Sequence, residues 1–147
     1  MDERAYDEAR QTLNPSACVF ERAILAGCAQ CDVSRRRALA EREVLCCTSE
    51  VAHINCATLA SLFRERATFA LRLPRSNAPV AHGSAMKLQC GGLRGLQTAL
   101  AAPTADVHAM VQQAMRNDAS LLDLPWQDIV CSIAAWQPRR RAKPSGG

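Results

Sequence analysis

The chain has 147 residues, 48% of them hydrophobic and 4% aromatic, and a formal net charge of +4. This length suits one domain with its own core, and so few aromatic residues disfavour a face that stacks single-stranded nucleic acid. Four of the 18 cations lie in the C-terminal tail, and the other 14 balance the 14 acidic residues. We therefore expect one cysteine-rich domain over residues 1–137 and a basic disordered tail over residues 138–147. Nucleic-acid binding, if present, would rely on that tail.

The segments between proline and glycine residues are rich in alanine and leucine and mostly too long for strands. They predict an all-α fold, a compact bundle of about five to six helices. The acidic N-terminus differs from a secretory signal, and no apolar run reaches the roughly 18 residues of a membrane span. We expect a cytosolic protein without a membrane partner, whose eight cysteines are thiols, metal ligands or redox groups rather than disulfides.

The first half of the chain divides at its helix-breaking residues into four predicted helices, over about residues 2–13, 15–26, 34–47 and 50–73. Gly27 is expected to end the second helix in a left-handed conformation. Ser34 is a candidate N-cap of the third, and Thr48 or Ser49 of the fourth. The pair Cys28-Ala29-Gln30-Cys31 therefore lies on a turn between two predicted helices.

A loop over residues 74–83 precedes three further predicted helices, which begin near Ser84, near Pro103 or Thr104, and at Pro125. The first of these contains Cys90 on its apolar face, followed by Gly91, Gly92 and Gly95. Each glycine costs about 1 kcal/mol in a helix interior relative to alanine. Three explanations are open: the helix breaks after Cys90, an inorganic cofactor approaches the backbone there, or another helix packs closely.

The helix face on which each cysteine lies indicates which thiols of the predicted third and fourth helices point towards the core. Cys46 and Cys47 would point about 100° apart on a helix, and Cys47 continues the apolar stripe whereas Cys46 continues a polar one. Cys56 also lies on an apolar stripe, with His53 one turn before it. Cys47 and Cys56 are therefore the expected inward thiols, and Cys46 is the alternative to Cys47.

Two cysteines in a Cys-x-x-Cys turn suit a metal ion or an iron–sulfur cluster. The favoured centre is a 4Fe-4S cluster with Cys90 as a substitute ligand or close neighbour; its predicted ligands are Cys28, Cys31, Cys47 and Cys56. Arg35, Arg36 and Arg37 follow the turn and could offset the negative charge of such a cluster, although a solvated charge run is the commoner explanation. Cys18 and Cys131 fall outside this pattern and are taken as ordinary thiols.

Zinc is the competing interpretation. Cys28, Cys31, His53 and Cys56 have the spacing C-x2-C…H-x2-C, which could close a tetrahedral site of three cysteines and one histidine. A zinc site of four cysteines is a further option. The assignment that includes the histidine leaves Cys47 and Cys90 unexplained. Any one of these cysteines alone is explained as a small buried hydrophobic residue, so the metal interpretation depends on the whole set.

The leading functional hypothesis is a small iron–sulfur protein that acts in electron transfer or redox sensing with a redox partner protein. The alternatives are a zinc-stabilised helical module for protein interaction and a nucleic-acid-binding regulator that uses the basic tail. The sequence contains no phosphate loop, HExxH pair or serine elbow. A Cys56–His53 nucleophile would lack an oxyanion donor and a third orienting group. The pattern therefore favours a protein that is not an enzyme.

Overall fold

The computed structural model describes residues 16–74, 78–118 and 120–138. The predicted helix over residues 2–13 and nearly all of the basic tail lie outside this part of the chain. The helices and strands, in chain order, are α1 (Glu21–Leu25), β1 (Ser34–Leu39), β2 (Arg42–Cys47), α2 (Glu50–Leu71), α3 (His82–Met86), α4 (Gly92–Leu100), α5 (Val107–Asn117) and α6 (Trp126–Ala135). A π-helical segment, Lys87–Gly91, joins α3 to α4, and a 3-10 turn, Leu121–Asp123, precedes α6.

The prediction of an all-α fold is wrong, because residues 34–47 form an antiparallel β-hairpin instead of a helix. The fold is mixed, 59% helical with one two-stranded sheet. The pairing runs from Ser34 opposite Cys47 to Leu39 opposite Arg42, and Ala40 turns the chain with a φ of 55°. The apolar spacing in this segment suits a helix as well as a strand, and contacts with the rest of the protein decide the outcome.

These contacts come from the segment that precedes α1. The Cys18 N–H donates to the Leu45 carbonyl at 3.0 Å, and the Cys47 N–H donates to the Ser16 carbonyl at 2.8 Å. The buried Glu21 carboxylate accepts a further hydrogen bond from the Leu45 N–H at 2.9 Å. Residues 16–18 therefore lie extended against β2, which is why α1 begins at Glu21 instead of following Pro15.

Of two predictions about the turn after α1, one is confirmed and the other is wrong. Gly27 has a φ of 80°, the left-handed conformation expected of a glycine that ends a helix. Ser34 does not cap a helix but opens β1, and its hydroxyl donates to the Cys31 carbonyl at 2.8 Å. The cysteine-bearing turn thus connects a helix to a hairpin instead of to another helix.

Helix α2 is the central element, and its boundaries agree with the prediction to within two residues. Ser49 caps it, with its hydroxyl accepting a hydrogen bond from the Ala52 N–H at 3.2 Å. Its buried face includes Phe63, whose ring meets the rings of Phe20 and Trp126 edge to face, each at 5.9 Å between centroids. Phe63 is therefore held by aromatic rings from both ends of the described chain.

The residues from His82 to Leu100 form one continuous helix, because both junctions of the π segment keep right-handed helical dihedral angles. A break after Cys90 is therefore wrong, and close packing accounts for the glycines. A Cβ on Gly91 would lie 2.7 Å from the Ile133 Cα in α6, and a Cβ on Gly92 would lie 2.6 Å from the Phe63 ring. Only glycine permits such close approach.

The last two helices begin slightly later than predicted. Asp106, rather than Pro103 or Thr104, caps α5 by accepting a hydrogen bond from the Ala109 N–H at 3.0 Å. Helix α6 begins at Trp126, one residue after the expected Pro125. Among the described residues, no helix has both the length and the apolar character needed to cross a bilayer.

The tight contact at Gly92 gives the first testable prediction. Gly92→Ala should destabilise the protein by about 1–3 kcal/mol, because the added methyl group would overlap the Phe63 ring. Gly83→Ala is the matched control, since nothing lies within 4 Å of a Cβ at Gly83, and it should be neutral or stabilising by up to about 1 kcal/mol. Urea unfolding followed by circular dichroism measures both, and a Gly92→Ala variant as stable as the wild type would contradict the packing.

Candidate metal centre

Four cysteines from four different segments line one small enclosed cavity. They are Cys18 from the extended segment before α1, Cys31 from the turn before β1, Cys47 from the end of β2 and Cys56 from α2. The remaining lining residues are Val19, Phe20, Val33, Ser34, Ala52, His53 and Val107. The cavity wall is therefore mostly apolar, and the cysteine thiols are the most numerous reactive groups in it.

Backbone hydrogen bonds fix Cys18 beside β2 and Cys47 at the end of that strand. Their amides bond to the Leu45 and Ser16 carbonyls respectively, so the two cysteines are held by the same pairing of the N-terminal segment with the strand. The Cys47 thiol also donates to the Ser49 carbonyl at 3.1 Å, beside the cap of α2. Cys56 lies on the same helix, two turns after this cap. Three of the four thiols are therefore positioned around the junction of β2 and α2.

Cys31 is positioned by the start of α5. The Gln30 N–H donates to the Ala105 carbonyl at 3.0 Å, and the Val107 N–H donates back to the Gln30 carbonyl at 2.8 Å. The Asp106 carboxylate, which caps α5, also accepts a hydrogen bond from the Asp32 N–H at 3.1 Å. These bonds hold the turn against the first residues of α5 on both sides of Cys31.

Two of the sulfur atoms accept hydrogen bonds from the backbone. The Cys31 sulfur accepts from the N–H groups of Val33 and His108, and the Cys18 sulfur accepts from the N–H of Phe20. His108 lies in the first turn of α5, where the helix leaves its N–H groups without intrahelical partners. Such donors stabilise negative charge on sulfur and are one of the features that tune metal-bound thiolates.

Burial favours the neutral form of three cavity thiols when no metal is bound. Loss of hydration raises the pKa of Cys56 to about 12 and that of Cys18 to about 11, and it also raises the pKa of Cys31. Neighbouring thiols raise the pKa of Cys18 and Cys56 further. A reactive cysteine needs a lowered pKa, so these residues are poor nucleophiles, whereas a bound cation would displace their protons.

His53 lines the cavity but is engaged elsewhere. Its Nε2 donates to the Ala17 carbonyl at 3.1 Å, so this nitrogen serves neither as a zinc ligand nor as a base for Cys56. The bond instead ties α2 to the segment that contains Cys18. The histidine therefore supports the cavity wall in this arrangement.

Cys28 and Cys31, predicted to bind together, lie in different places. The Cys28 N–H donates to the Ala23 carbonyl at the end of α1, and its thiol is near enough to Cys90 to raise the pKa of that residue. Neither Cys28 nor Cys90 lines the cavity. The predicted set of Cys28, Cys31, Cys47 and Cys56 is thus divided, with three members at the cavity and Cys28 paired with Cys90.

Cys46 is also absent from the cavity lining, while Cys47 is present. Successive residues of a strand point to opposite faces of a sheet, so the choice between these two follows from strand alternation rather than from the helical stripe used to predict it. Cys131 is exposed on α6. The preference for Cys47 as the inward thiol therefore agrees with the cavity lining, although the reason given for it was wrong.

Cys18 is the cavity residue that sequence reasoning missed. The cavity cysteines have the spacing C-x12-C-x15-C-x8-C, which matches none of the short ligand patterns used to recognise metal sites. Cys18 reaches the cavity because residues 16–18 pair with β2, and that pairing depends on the unpredicted hairpin. The apolar residues Val19 and Phe20 that follow Cys18 indicated burial but not a ligand role.

The cavity thiols are more widely spaced than the ligands of a closed zinc site. Zinc–sulfur bonds of about 2.3 Å in a tetrahedron place the sulfur atoms roughly 3.8 Å apart. In the part of the chain that the structure describes, the one group of three candidate ligand atoms within 4.8 Å of one another is Cys31, Asp32 and Asp106. The Asp106 carboxylate of this group already accepts hydrogen bonds from the Asp32 and Ala109 N–H groups. No three of the four cavity cysteines are that close.

The raised thiol pKa values predict a loss of stability at high pH. Unfolded thiols ionise from their ordinary pKa of 9.0 upward, while Cys18 and Cys56 stay neutral in the folded protein up to about 11 and 12. Their contribution to stability is therefore complete below pH 9 and is lost as the pH rises towards 11–12. Urea unfolding of reduced, metal-free protein at pH 7, 9 and 10.5 measures this loss.

The matched control is the double variant Cys18→Ala/Cys56→Ala, which should lose less stability over the same pH range than the wild type does. Tyrosine and lysine titration is common to both proteins and cancels in the comparison. Equal losses in the two proteins would show that the buried thiols do not carry the effect.

Comparison with known proteins adds no assignment to this geometry. A scan against protein-family models, a search of curated proteins and a search of solved structures each found no match to this chain.

Proposed function

We propose that this protein binds an iron–sulfur cluster of the 4Fe-4S type through Cys18, Cys31, Cys47 and Cys56, and that it acts in electron transfer or redox sensing. The observation that carries this proposal is the convergence of four thiols, from four separate segments, on one small cavity, where Cys56 is buried and the other three are half-buried. Four cysteine ligands are the usual complement of such a cluster. The ligand set differs from the predicted one by the exchange of Cys28 for Cys18.

The spacing of the thiols supports a cluster over a single ion. A cluster holds its cysteine ligands further apart than one zinc ion does, because each thiolate binds a different iron atom. The cavity thiols are already wider than a tetrahedral zinc site allows.

The electrostatic surroundings also suit a centre that changes its charge. The N–H donors to Cys31 and Cys18 favour sulfur with negative charge, and the apolar lining restricts water. Strand β1 begins three residues after Cys31 and carries Arg35, Arg36 and Arg37 exposed. Positive charge beside a negatively charged centre would favour the encounter with an acidic redox partner protein.

A zinc site that stabilises a protein-interaction module is the second candidate function. It is favoured by the size of the cavity, which has room for about one water-sized sphere. A single ion would need the thiols to move inwards, and it would then tie the N-terminal segment, the hairpin and α2 together. This alternative and the cluster use the same cysteines and differ in the metal.

Anaerobic purification followed by iron, sulfide and zinc analysis distinguishes the two. The cluster proposal expects a brown protein with absorption near about 400 nm and equimolar iron and sulfide. Stoichiometric zinc with neither iron nor sulfide would reject the cluster and support the second candidate, which also expects a melting temperature lowered by a zinc chelator. Apo protein that takes up neither metal in reconstitution would reject both.

Two cysteine variants test the choice of ligands. Cys18→Ser should lose most of the bound iron, because a hydroxyl group is a poor replacement for a thiolate ligand. Cys28→Ser is the matched comparison and should keep its iron, since Cys28 lies outside the cavity. Iron content per folded protein is the measurement, with circular dichroism as the check on folding. Loss of iron from Cys28→Ser alone would restore the Cys-x-x-Cys pair as the ligand source.

A further inference from the structure

A second pair of thiols lies outside the cysteine-lined cavity. Cys28 is on the turn that follows Gly27, Cys90 is in the π-helical segment, and the Cys28 thiol is near enough to raise the pKa of Cys90. Neither residue lines the proposed metal centre. The pair is therefore a separate chemical feature, and the proposed function leaves it without a role.

Both thiols are anchored to one residue of α1. The Ala23 carbonyl accepts a hydrogen bond from the Cys28 N–H at 2.9 Å, and the Ala23 N–H donates to the Gln89 side chain at 3.0 Å. Gln89 precedes Cys90 and also donates to the Val19 carbonyl at 3.2 Å. This network docks α1 on the π segment and holds the two sulfur atoms together.

The pair is open to small molecules from one side. Cys28 lies in the wall of a surface groove of about 500 Å³, together with Gly27, Met86, Arg94 and Trp136. Cys90 is only 2% exposed and lies behind Cys28. A reagent in the groove therefore meets Cys28 first and reaches Cys90 only through it.

From this arrangement we infer that Cys28 and Cys90 form a thiol–disulfide exchange site for small disulfides that carry carboxylate groups. Cys28 is the entry thiol because it lines the groove, and Cys90 is the resolving thiol because it is buried in contact with it. Arg94 lines the same groove and provides the positive charge that would hold a carboxylate. This site does not depend on the proposed metal centre.

The exchange runs in two steps. The Cys28 thiolate attacks one sulfur of the small disulfide, forms a mixed disulfide on Cys28 and releases one small thiol. Cys90 then loses its proton to solvent and attacks the Cys28 sulfur, which forms the Cys28–Cys90 disulfide and releases the second small thiol. Two protein thiols are oxidised and the small disulfide is reduced to two thiols, so no further oxidant is needed.

The backbone around the pair can accommodate the closure. The sulfur atoms must approach to about 2.05 Å. Gly27 has a φ of 80° and nothing within 4 Å of where a Cβ would be, so the space around this residue of the turn is open. Burial raises the pKa of the Cys90 thiol to about 12, the neighbouring Cys28 thiol raises it further, and Arg94 lowers it. The contribution of Cys28 ends once that residue is in the mixed disulfide, which makes Cys90 a better nucleophile in the second step than in the reduced pair.

Oxidised glutathione, a disulfide with carboxylate groups, is the probe for this site. Incubated with reduced full-length protein, it should produce a disulfide-linked pair of peptides containing Cys28 and Cys90, identified by mass spectrometry after blocking of free thiols. Cys90→Ser should accumulate glutathione on Cys28, because the resolving thiol is missing. Cys28→Ser should form neither product. Cys131→Ser is the matched control at an exposed cysteine and should form the same linkage as the wild type.

A second comparison tests whether Arg94 favours disulfides that carry carboxylate groups. Arg94→Gln should slow the reaction with oxidised glutathione several-fold and leave the reaction with the uncharged 2-hydroxyethyl disulfide unchanged. Equal slowing of both reagents would overturn the assignment of carboxylated disulfides. Glutathione confined to exposed cysteines, with no Cys28–Cys90 linkage and no adduct on Cys28 in Cys90→Ser, would overturn the exchange site. Iron content measured on the same variants reports on the metal centre separately.

Discussion

The pairing of residues 16–18 with β2 is the constraint on which both the fold and the candidate centre depend. Two backbone hydrogen bonds, from the Cys18 N–H to the Leu45 carbonyl and from the Cys47 N–H to the Ser16 carbonyl, join residues 16–18 to the hairpin, and the Glu21 carboxylate accepts a further bond from the Leu45 N–H. These bonds satisfy polar backbone groups of the buried Leu45, and a buried polar group left unsatisfied costs about 1–3 kcal/mol. Satisfying them fixes the hairpin and brings Cys18 and Cys47 to one cavity.

The described structure keeps this cavity together without disulfide bonds, although its cysteines come from four segments. Aromatic contacts of Phe63 with Phe20 and Trp126 supply a core beside it, and the close glycine contacts join the α3–α4 helix to α2 and α6. Metal binding would therefore add stability to a chain that already has a core, unlike small modules that need a metal in order to fold. The raised thiol pKa values couple such binding to proton release.

The sequence predicted those helix boundaries that depend on a capping residue or a glycine at the boundary itself. The Ser49 cap of α2 and the left-handed Gly27 depend on a few adjacent residues, so both could be identified from the sequence. The hairpin could not, because its apolar spacing suits a helix and its stability comes from residues far away in the chain. The error carried over to the candidate site, since Cys18 reaches the cavity only through that hairpin. The separation of Cys28 from Cys31 likewise depends on contacts with α1 and α5.

The π-helical segment sets the rotational phase of a helix that has two sets of partners. Within it, Gln89 and Cys90 face α1 and the turn after α1. From its last residue onwards, Gly91, Gly92 and Gly95 face α6 and α2. A π turn arises when one extra residue is accommodated within an α-helix, and each residue of an α-helix corresponds to a rotation of about 100°. Removing one residue here would restore a regular helix but would turn one set of contacts away from its partners. The single extra residue therefore allows one continuous helix to contact α1 with one set of residues and α6 and α2 with the other.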